Sequence, residues 1–164
     1  MHSAPLRHYR ARVHWTGSTG EGTSRYDAYS RAHRIHVDGK PSLAGSADPA
    51  FRGDATLHNP EDLFLASVAA CHMLFYLALC AREGLRVLAY EDAAEGVLDA
   101  DTNGHGRFRE IQLRPRVTLA ADADPVRAVA LHQAAHARCF IANSCSVPVR
   151  CDPVVEPMDA GARA

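Results

Sequence analysis

Alternating apolar and polar positions predict β-strands in the first third of the chain. Over Tyr9–Trp15 the odd positions are apolar and the even positions carry arginine or histidine, which is the period of a half-buried strand. Residues 23–29 and 33–38 are interpreted as two further strands, and the Asp38–Gly39 pair that ends the second favours a hairpin turn. Residues 41–58, with their prolines and glycines, are expected to be irregular.

The next segment is apolar throughout and predicts a long helix. Asn59 is a favourable N-cap, and Pro60 suits the first helical position. No charged residue occurs over Leu63–Ala81, and the first stop signal is Gly84. These features predict a helix over residues 60–83.

A helix that is apolar on every side is either a core helix or a membrane span. We interpret this one as a core helix because Ser67, His72 and Tyr76 interrupt it and no second apolar span accompanies it. A single chain of this size has too little structure to cover such a helix alone. We therefore expect a homodimer in which a second subunit covers part of it.

Two strands are predicted after the helix, over residues 86–98 and 107–119, joined by a turn at residues 102–104. Pro115 lies inside the second strand and suggests an edge or a bulge there. The core-facing parity of that strand is expected to carry Ile111, Leu113, Val117 and Leu119.

The last third of the chain predicts a second helix and a final strand. Asp124–Pro125 is a helix start, and the helix is expected to run to about Arg138. Residues 146–155 are interpreted as a short strand and residues 157–164 as a frayed tail. This order of elements predicts one α+β domain over residues 1–164, with a mostly antiparallel sheet.

Composition narrows the class of protein further. The 164 residues are 47% hydrophobic and 23% charged, which is typical of a globular protein and not of a disordered chain, a collagen-like repeat or a coiled coil. A formal net charge of −1 argues against nucleic acid or an anionic membrane as the main partner. The N-terminal residues form no apolar signal region, so we expect a cytoplasmic protein whose thiols are kept reduced.

Five cysteines are the first candidates for chemistry. Cys71 lies in the middle of the apolar helix, where a free cysteine is usually a small, inert hydrophobe. A reactive Cys71 would need a cation brought from elsewhere, because it is too far along the helix to use the dipole at its start. Cys80 points to the opposite side of the helix, so the two are not expected to form a redox pair.

A second group of candidates follows the second helix. His132, His136 and Cys139 can share one helical face and offer an alternative, a zinc or iron site. That stripe has no acidic residue and the chain has no CxxC pair, so a partly exposed helix face is the simpler interpretation. Cys145 and Cys151 have the strand parity of the valines between them and are expected to lie in the core.

Two segments together resemble the OsmC/Ohr family of thiol peroxidases. HNPEDLFLASVAACHMLFYLALC (58–80) is similar to the central helix of that family, and HARCFIANSCSVPV (136–149) is similar to its second cysteine motif. SLAGSADPAFRGD (42–54) is similar to the segment that leads into the helix in an OsmC-like branch. The resemblance implies an intertwined α+β homodimer whose antiparallel sheets wrap the long central helices.

The resemblance also implies an activity and a set of site residues. It implies reduction of organic hydroperoxides without a bound cofactor, with an external dithiol as reductant. Cys71 matches the peroxidatic cysteine, Cys139 the resolving cysteine, and Glu61 the carboxylate that orients a catalytic arginine. That arginine is Arg52 by position, with Arg31 as the second choice.

Departures from the family pattern leave alternatives open. Cys139 is followed by Phe-Ile-Ala-Asn-Ser instead of the usual Cys-Pro, and Cys145 is an extra thiol that could compete as the resolving residue. Glu61 and Cys71 are separated by about 15 Å along a straight helix, so the arginine or a partner chain must bridge that distance. The alternative function is a non-catalytic protein of the same fold that binds or senses a small hydrophobic or thiol-reactive ligand.

Overall fold

A computed structural model of the chain describes residues 6–101 and 105–158. The predicted turn at 102–104 and the tail residues 159–164 lie outside the described residues. Contacts between Cα atoms divide the chain into two compact units, residues 1–63 and 64–164. The boundary falls within the long helix, and the prediction of one domain stays a prediction.

The first unit contains a three-stranded antiparallel sheet. Its strands are β1 (Arg12–Trp15), β2 (His33–His36) and β3 (Leu43–Gly45), in the spatial order β1-β2-β3. The predicted hairpin turn joins β2 to β3, where the amide of Lys40 donates to the carbonyl of Val37 at 3.0 Å. The strands β1 and β2 confirm two predictions made from alternation.

Two expectations for the first unit were wrong. Residues 23–29 form turns and bends instead of a strand, and Tyr26 and Tyr29 pack on the side chain of Arg31. The segment expected to be irregular contains β3 and a parallel bridge between Gly45 and His58. The pairing of β3 with β2 and this bridge join separate segments of the chain, which local turn signals do not report.

The predicted long helix is α1 (Pro60–Arg82). Asn59 and Asp62 cap its start reciprocally: the Asn59 side-chain oxygen accepts from the Asp62 amide at 2.8 Å, and the Asp62 carboxylate accepts from the Asn59 amide at 3.3 Å. The helix ends before Gly84, whose φ of 73° is the left-handed conformation that terminates helices. The predicted end at Glu83 is therefore correct to one residue.

The helix α1 is the one helix in the described part of the chain that is long and apolar enough to cross a membrane. Length and composition do not distinguish such a span from a core helix. One face of α1 is buried in the protein, and it carries Val68, His72, Tyr76, Leu79 and Cys80. The opposite face is exposed in the isolated chain and carries Ala66, Ala70, Leu74, Ala78 and Ala81.

The second unit contains two three-stranded sheets. One has the order β4 (Val87–Asp92), β7 (Pro115–Leu119), β9 (Val154–Pro157). The other has the order β5 (Glu95–Ala100), β6 (Gly106–Leu113), β8 (Val149–Cys151). Pairing is antiparallel for β4 with β7 and for β5 with β6, and parallel for β7 with β9 and for β6 with β8. Among the described residues antiparallel pairs predominate, as predicted.

Each range predicted as one strand in this unit contains two strands, because the chain leaves one sheet and enters the other within that range. At one crossing the amide of Arg114 donates to the carboxylate of Asp92 at 2.8 Å instead of to a strand partner. Pro115 begins β7, the middle strand of its sheet, so the expected edge or bulge is replaced by a strand start. The last predicted strand divides into β8 and β9, and β9 extends to Pro157, so the expected tail begins later.

The core of the second unit confirms the predicted parity, since Ile111, Leu113, Val117 and Leu119 are all buried. The helix α2 (Pro125–Arg138) begins where predicted, with the Asp124 carboxylate accepting from the amides of Val126 and Arg127. It packs its apolar face on α1 residues within the same core cluster. Two helices and three sheets thus make the predicted α+β fold.

Candidate functional site

The second unit places two cysteine thiols near each other. Cys71 is half-buried in the middle of α1, and Cys139 is 1% exposed at the end of α2. The Cys71 thiol lies close enough to Cys139 to raise the pKa of that thiol. The fold therefore brings close together the two cysteines that the sequence motifs single out, from positions 68 residues apart.

The surroundings of Cys139 keep its thiol protonated. Burial raises the pKa of Cys139 to about 11, and the neighbouring Cys71 thiol adds to the rise. The backbone amide of Ala142 donates to the Cys139 sulfur at 3.4 Å, which offsets part of this effect. At neutral pH the Cys139 side chain is a buried, neutral thiol.

Aromatic side chains border the thiol pair. Phe75 lies one helical turn after Cys71, and Phe140 directly follows Cys139. The two rings meet edge to face with their centroids 4.9 Å apart. Phe140 is 69% exposed, so an apolar surface next to the thiols is open in the isolated chain.

Cys145 lies outside the pair formed by Cys71 and Cys139. Its thiol donates to the carbonyl of Ala142 at 3.3 Å, and no described contact joins it to Cys71. It lines an open cavity of about 1100 Å³ whose walls include Phe64, Arg107, Phe108, Arg109 and Val147. Neither Cys71 nor Cys139 belongs to that lining. The expectation that Cys145 is core filler is therefore replaced by a half-buried thiol at a cavity wall.

The remaining site residues predicted from the family resemblance lie in the first unit. Arg31 is held locally: its guanidinium donates to the carbonyls of Tyr29 and Tyr26 at 2.6 and 2.8 Å. The same group lies 4.1 and 4.3 Å from the centroids of the two tyrosine rings. Its donors and its charge are thus engaged within the unit.

Arg52 has a different environment. It ends a short 3-10 helix, Pro49–Phe51, which the Asp48 carboxylate caps by accepting from the Ala50 amide at 2.8 Å. Its φ of 65° is the one positive value for a non-glycine residue in the described chain, and such conformations are concentrated at functional sites. Its side chain is exposed and makes no described hydrogen bond or ion pair.

Glu61 is half-buried at the start of α1. Its neighbour Asp62 makes the capping hydrogen bonds and lies 4.0 Å from the ring nitrogen of His58. The carboxylate of Glu61 makes no hydrogen bond or ion pair with another described residue. Glu61 is therefore available to another group.

A second cluster of side chains that could take part in chemistry was not predicted from the sequence. His72 Nε2 lies 2.9 Å from His132 Nδ1, and the sulfur of Cys151 lies 3.6 and 4.0 Å from these two nitrogens. Both histidines are buried. The alternative metal site of the sequence analysis paired His132 with His136 and Cys139, but the structure pairs His132 with a histidine on α1. The close approach of His72 and His132, 60 residues apart, has no signal in sequence spacing.

Burial sets the protonation of this cluster. Desolvation lowers the pKa of His72 to about 4 and that of His132 to about 3, and a neighbouring imidazole adds to the lowering of each pKa. Burial raises the pKa of Cys151 to about 12. At neutral pH all three side chains are uncharged.

The described residues form an α+β fold in which a long apolar helix places one thiol near a second thiol. These two features together define a class of dithiol proteins. Within that class, the chain belongs to the OsmC-like family. The model of that family, described as OsmC-like protein, matches residues 53–152, which is well over half of the chain. No curated protein sequence matches the chain significantly.

Solved structures share the fold. An OsmC-like protein of unknown function from Vibrio cholerae has 29% identity over 91% of this chain and 100% of its own, with a TM-score of 0.82. An organic hydroperoxide resistance protein from Legionella pneumophila has 19% identity over 93% and 99%, with a TM-score of 0.64. The organic hydroperoxide resistance protein OhrB of Bacillus subtilis has 23% identity over 90% and 98%, with a TM-score of 0.54. The predicted family and fold are confirmed.

Proposed function

We propose that the protein is a thiol-dependent peroxidase that reduces organic hydroperoxides to alcohols and so protects against oxidative stress. The observation that carries the proposal is the proximity of the thiols of Cys71 and Cys139. Membership of the OsmC-like family supports it. So does the fold shared with organic hydroperoxide resistance proteins from Legionella pneumophila and Bacillus subtilis.

In the first step the Cys71 thiolate attacks one oxygen of the hydroperoxide. The sulfur donates an electron pair, the O–O bond breaks, and the leaving alkoxide takes up a proton to become the alcohol. Cys71 is oxidised to a sulfenic acid. Cys71 is half-buried, and the exposed ring of Phe140 directly follows Cys139, so the surroundings of the thiol pair suit an apolar substrate better than hydrogen peroxide.

In the second step Cys139 resolves the sulfenic acid. Its sulfur attacks the Cys71 sulfur, its proton leaves with the hydroxyl group as water, and a Cys71–Cys139 disulfide forms. The raised pKa of Cys139 keeps it a thiol in the resting protein, so it does not compete for the peroxide. An external dithiol then reduces the disulfide by exchange, which calls for no bound cofactor and suits a reducing compartment such as the cytoplasm.

We assign the activating cation to Arg52 and its orienting carboxylate to Glu61. Arg31 is engaged by two carbonyls and two tyrosine rings, whereas Arg52 is exposed and has no described side-chain partner. A guanidinium has the permanent charge and forked geometry to favour a thiolate and polarise the peroxide. The scheme requires Arg52 and Glu61 to reach Cys71, within one chain or across a dimer interface.

A homodimer is the assembly that we propose. The exposed face of α1 is a continuous apolar stripe, and Leu74 on it is 63% exposed. Leu74→Glu should convert the dimer to monomers in light scattering after gel filtration, whereas Val126→Glu, on exposed α2 surface, should not. A dimer unchanged by Leu74→Glu would place the interface elsewhere.

A second candidate function, binding of a small ligand, is favoured by the cavity that Cys145 lines. The cavity has apolar walls at Phe64 and Phe108 and basic groups at Arg107 and Arg109. This function would leave Cys71 unoxidised by hydroperoxides. The experiment that tests the peroxidase therefore separates the two.

The test is a rapid titration of the reduced protein with cumene hydroperoxide, followed by mass spectrometry of the trapped cysteines. Wild type should form a Cys71–Cys139 disulfide with one equivalent, and Cys139→Ser should accumulate sulfenic acid at Cys71. Cys145→Ser, which removes a neighbouring thiol outside the pair, should behave as wild type. Persistence of both the Cys71 thiol and the hydroperoxide would overturn the peroxidase proposal and favour ligand binding.

A further inference from the structure

A group of two buried imidazoles and one half-buried thiol includes neither of the proposed peroxidase thiols. We define the His72 cluster as His72 on α1, His132 on α2 and Cys151 on β8. One potential ligand atom from each residue lies within 4.8 Å of the other two. The three elements that supply them are separate in sequence and meet in the core of the second unit.

The separations of these atoms are close to those of ligands on one tetrahedral ion. With Zn–N bonds of about 2.0–2.1 Å and a Zn–S bond of about 2.3 Å, two nitrogens stand about 3.3 Å apart and sulfur stands about 3.6 Å from each. The observed separations are 2.9 Å between nitrogens and 3.6 and 4.0 Å to sulfur. Shifts of about 0.4 Å would meet the tetrahedral values. The rings, now within 10° of parallel, must also tilt so that each lone pair points at the ion.

The donor set selects a class of metal. Two neutral imidazoles and a thiolate suit zinc and similar borderline ions, whereas magnesium and calcium prefer oxygen ligands. Three protein ligands leave one of the four tetrahedral positions open to water, and Cys151, unlike the two histidines, is not fully buried. We propose that the His72 cluster binds a divalent transition metal of the zinc class at this three-ligand site, where the ion ties α1, α2 and β8 together.

Metal binding has a defined proton balance. In the metal-free protein one imidazole N–H lies between the facing nitrogens of His72 and His132. On the ion both facing nitrogens are unprotonated, so that proton moves to the far nitrogen of the same ring. The Cys151 thiol loses its proton to solvent, and one proton is released for each ion bound.

The cluster also has polar groups around it. The far nitrogens, His72 Nδ1 and His132 Nε2, are buried without a partner among the described residues. The buried hydroxyls of Tyr76 and Tyr90 are likewise unpartnered there, and the Tyr76 ring stacks on His132 with centroids 3.8 Å apart.

The test uses Co²⁺ as a spectroscopic substitute for zinc, in the full chain carrying Cys71→Ser and Cys139→Ser. Removing those two thiols prevents the peroxidase pair from binding the metal or oxidising. We expect one Co²⁺ per chain, with the visible bands of a tetrahedral site and a thiolate charge-transfer band in the near ultraviolet. Zinc should displace the cobalt, and X-ray absorption of the zinc form should give two nitrogens and one sulfur.

Variants assign the ligands. Cys151→Ser should abolish the charge-transfer band, while Cys145→Ser, the matched thiol outside the cluster, should retain it. Circular dichroism checks that each variant is folded. A folded protein that shows no band at one equivalent of Co²⁺ would overturn the proposal, as would a zinc spectrum without sulfur. Because the peroxidase thiols are absent from this protein, failure here leaves the proposed peroxidase untouched.

Discussion

Two neighbouring residues on α1 lie in different environments. Cys71 is half-buried and lies near the thiol of Cys139, which the exposed ring of Phe140 follows in the chain. His72 is fully buried and contacts an imidazole and a second thiol. Successive helical side chains project about 100° apart, so one residue step moves from an accessible surface to a sealed core.

The difference between these environments separates two uses of sulfur. A thiol that reacts with a substrate must be reachable and must have a second thiol close enough to resolve it. A thiol that holds structure needs fixed partners. Cys71 with Cys139 meets the first requirement, and Cys151, half-buried beside two buried histidines, meets the second.

Loss of the Cys71 sulfur should have the largest effect. Cys71→Ser removes the proposed nucleophile, so reduction of cumene hydroperoxide should fall at least about 10³-fold. Cys151→Ser, which removes the sulfur on the buried side, should keep the rate within a few-fold if the protein folds. Peroxidase assays with coupled dithiol oxidation measure both, and equal losses in the two variants would contradict the division of roles.

The second prediction concerns Arg52, whose guanidinium is proposed to activate Cys71. Arg52→Met should slow Cys71 oxidation by about 10²-fold because it removes the charge that favours the thiolate, and Arg52→Lys should recover part of the loss. Arg31→Met should leave that rate within a few-fold and cost about 0.5–1 kcal/mol of stability through lost contact with the tyrosine rings. Stopped-flow oxidation and urea unfolding measure these effects, and the opposite pattern would reassign the arginine to Arg31.

Much of the fold was predictable because its signals are local. The start of α1 follows from Asn59 and Pro60, and the start of α2 from Asp124 and Pro125. The buried parity of β6 and β7 follows from alternation alone. The Cys71–Cys139 pair could be predicted as well, but from the family resemblance instead of from periodicity.

The features that were missed depend on packing between distant segments. His72 looked like an interruption in an apolar helix, and Cys151 looked like core filler among valines. Only the packing of α1, α2 and β8 places them together with His132.

Acid should destabilise the protein through the buried side of α1. The folded-state pKa values of His72 and His132 are lowered to about 4 and about 3. The unfolded chain therefore takes up protons below pH 6.5 that the folded chain does not. Stability is fully present above that pH and should fall by roughly 6 kcal/mol as the pH drops to about 4. Asp92 acts in the opposite direction, since burial raises the pKa of its carboxyl.

Urea unfolding of the metal-free protein at pH 7 and pH 4.5 measures this loss. His132→Phe keeps a planar ring in the same place and should show a smaller difference between the two pH values. His14→Phe, at an exposed position on β1, is the control and should keep the wild-type difference. If His132→Phe leaves the difference unchanged, then the buried histidines do not determine acid stability.

The smallest effect is expected on the accessible side, at Phe140. Its ring is 69% exposed and meets Phe75 edge to face at 4.9 Å, a contact that contributes about 0.5–1.5 kcal/mol between aromatic groups. If this surface binds the apolar part of the substrate, Phe140→Ala should lower the rate with cumene hydroperoxide by about 2–10-fold. The rate with hydrogen peroxide should change little, because that substrate has no apolar group to bind.

Val126→Ala removes an exposed apolar side chain near the other end of α2 and should leave the ratio of the two rates unchanged. An unaltered ratio in Phe140→Ala would mean that apolar selectivity arises from surfaces other than the one beside Cys71.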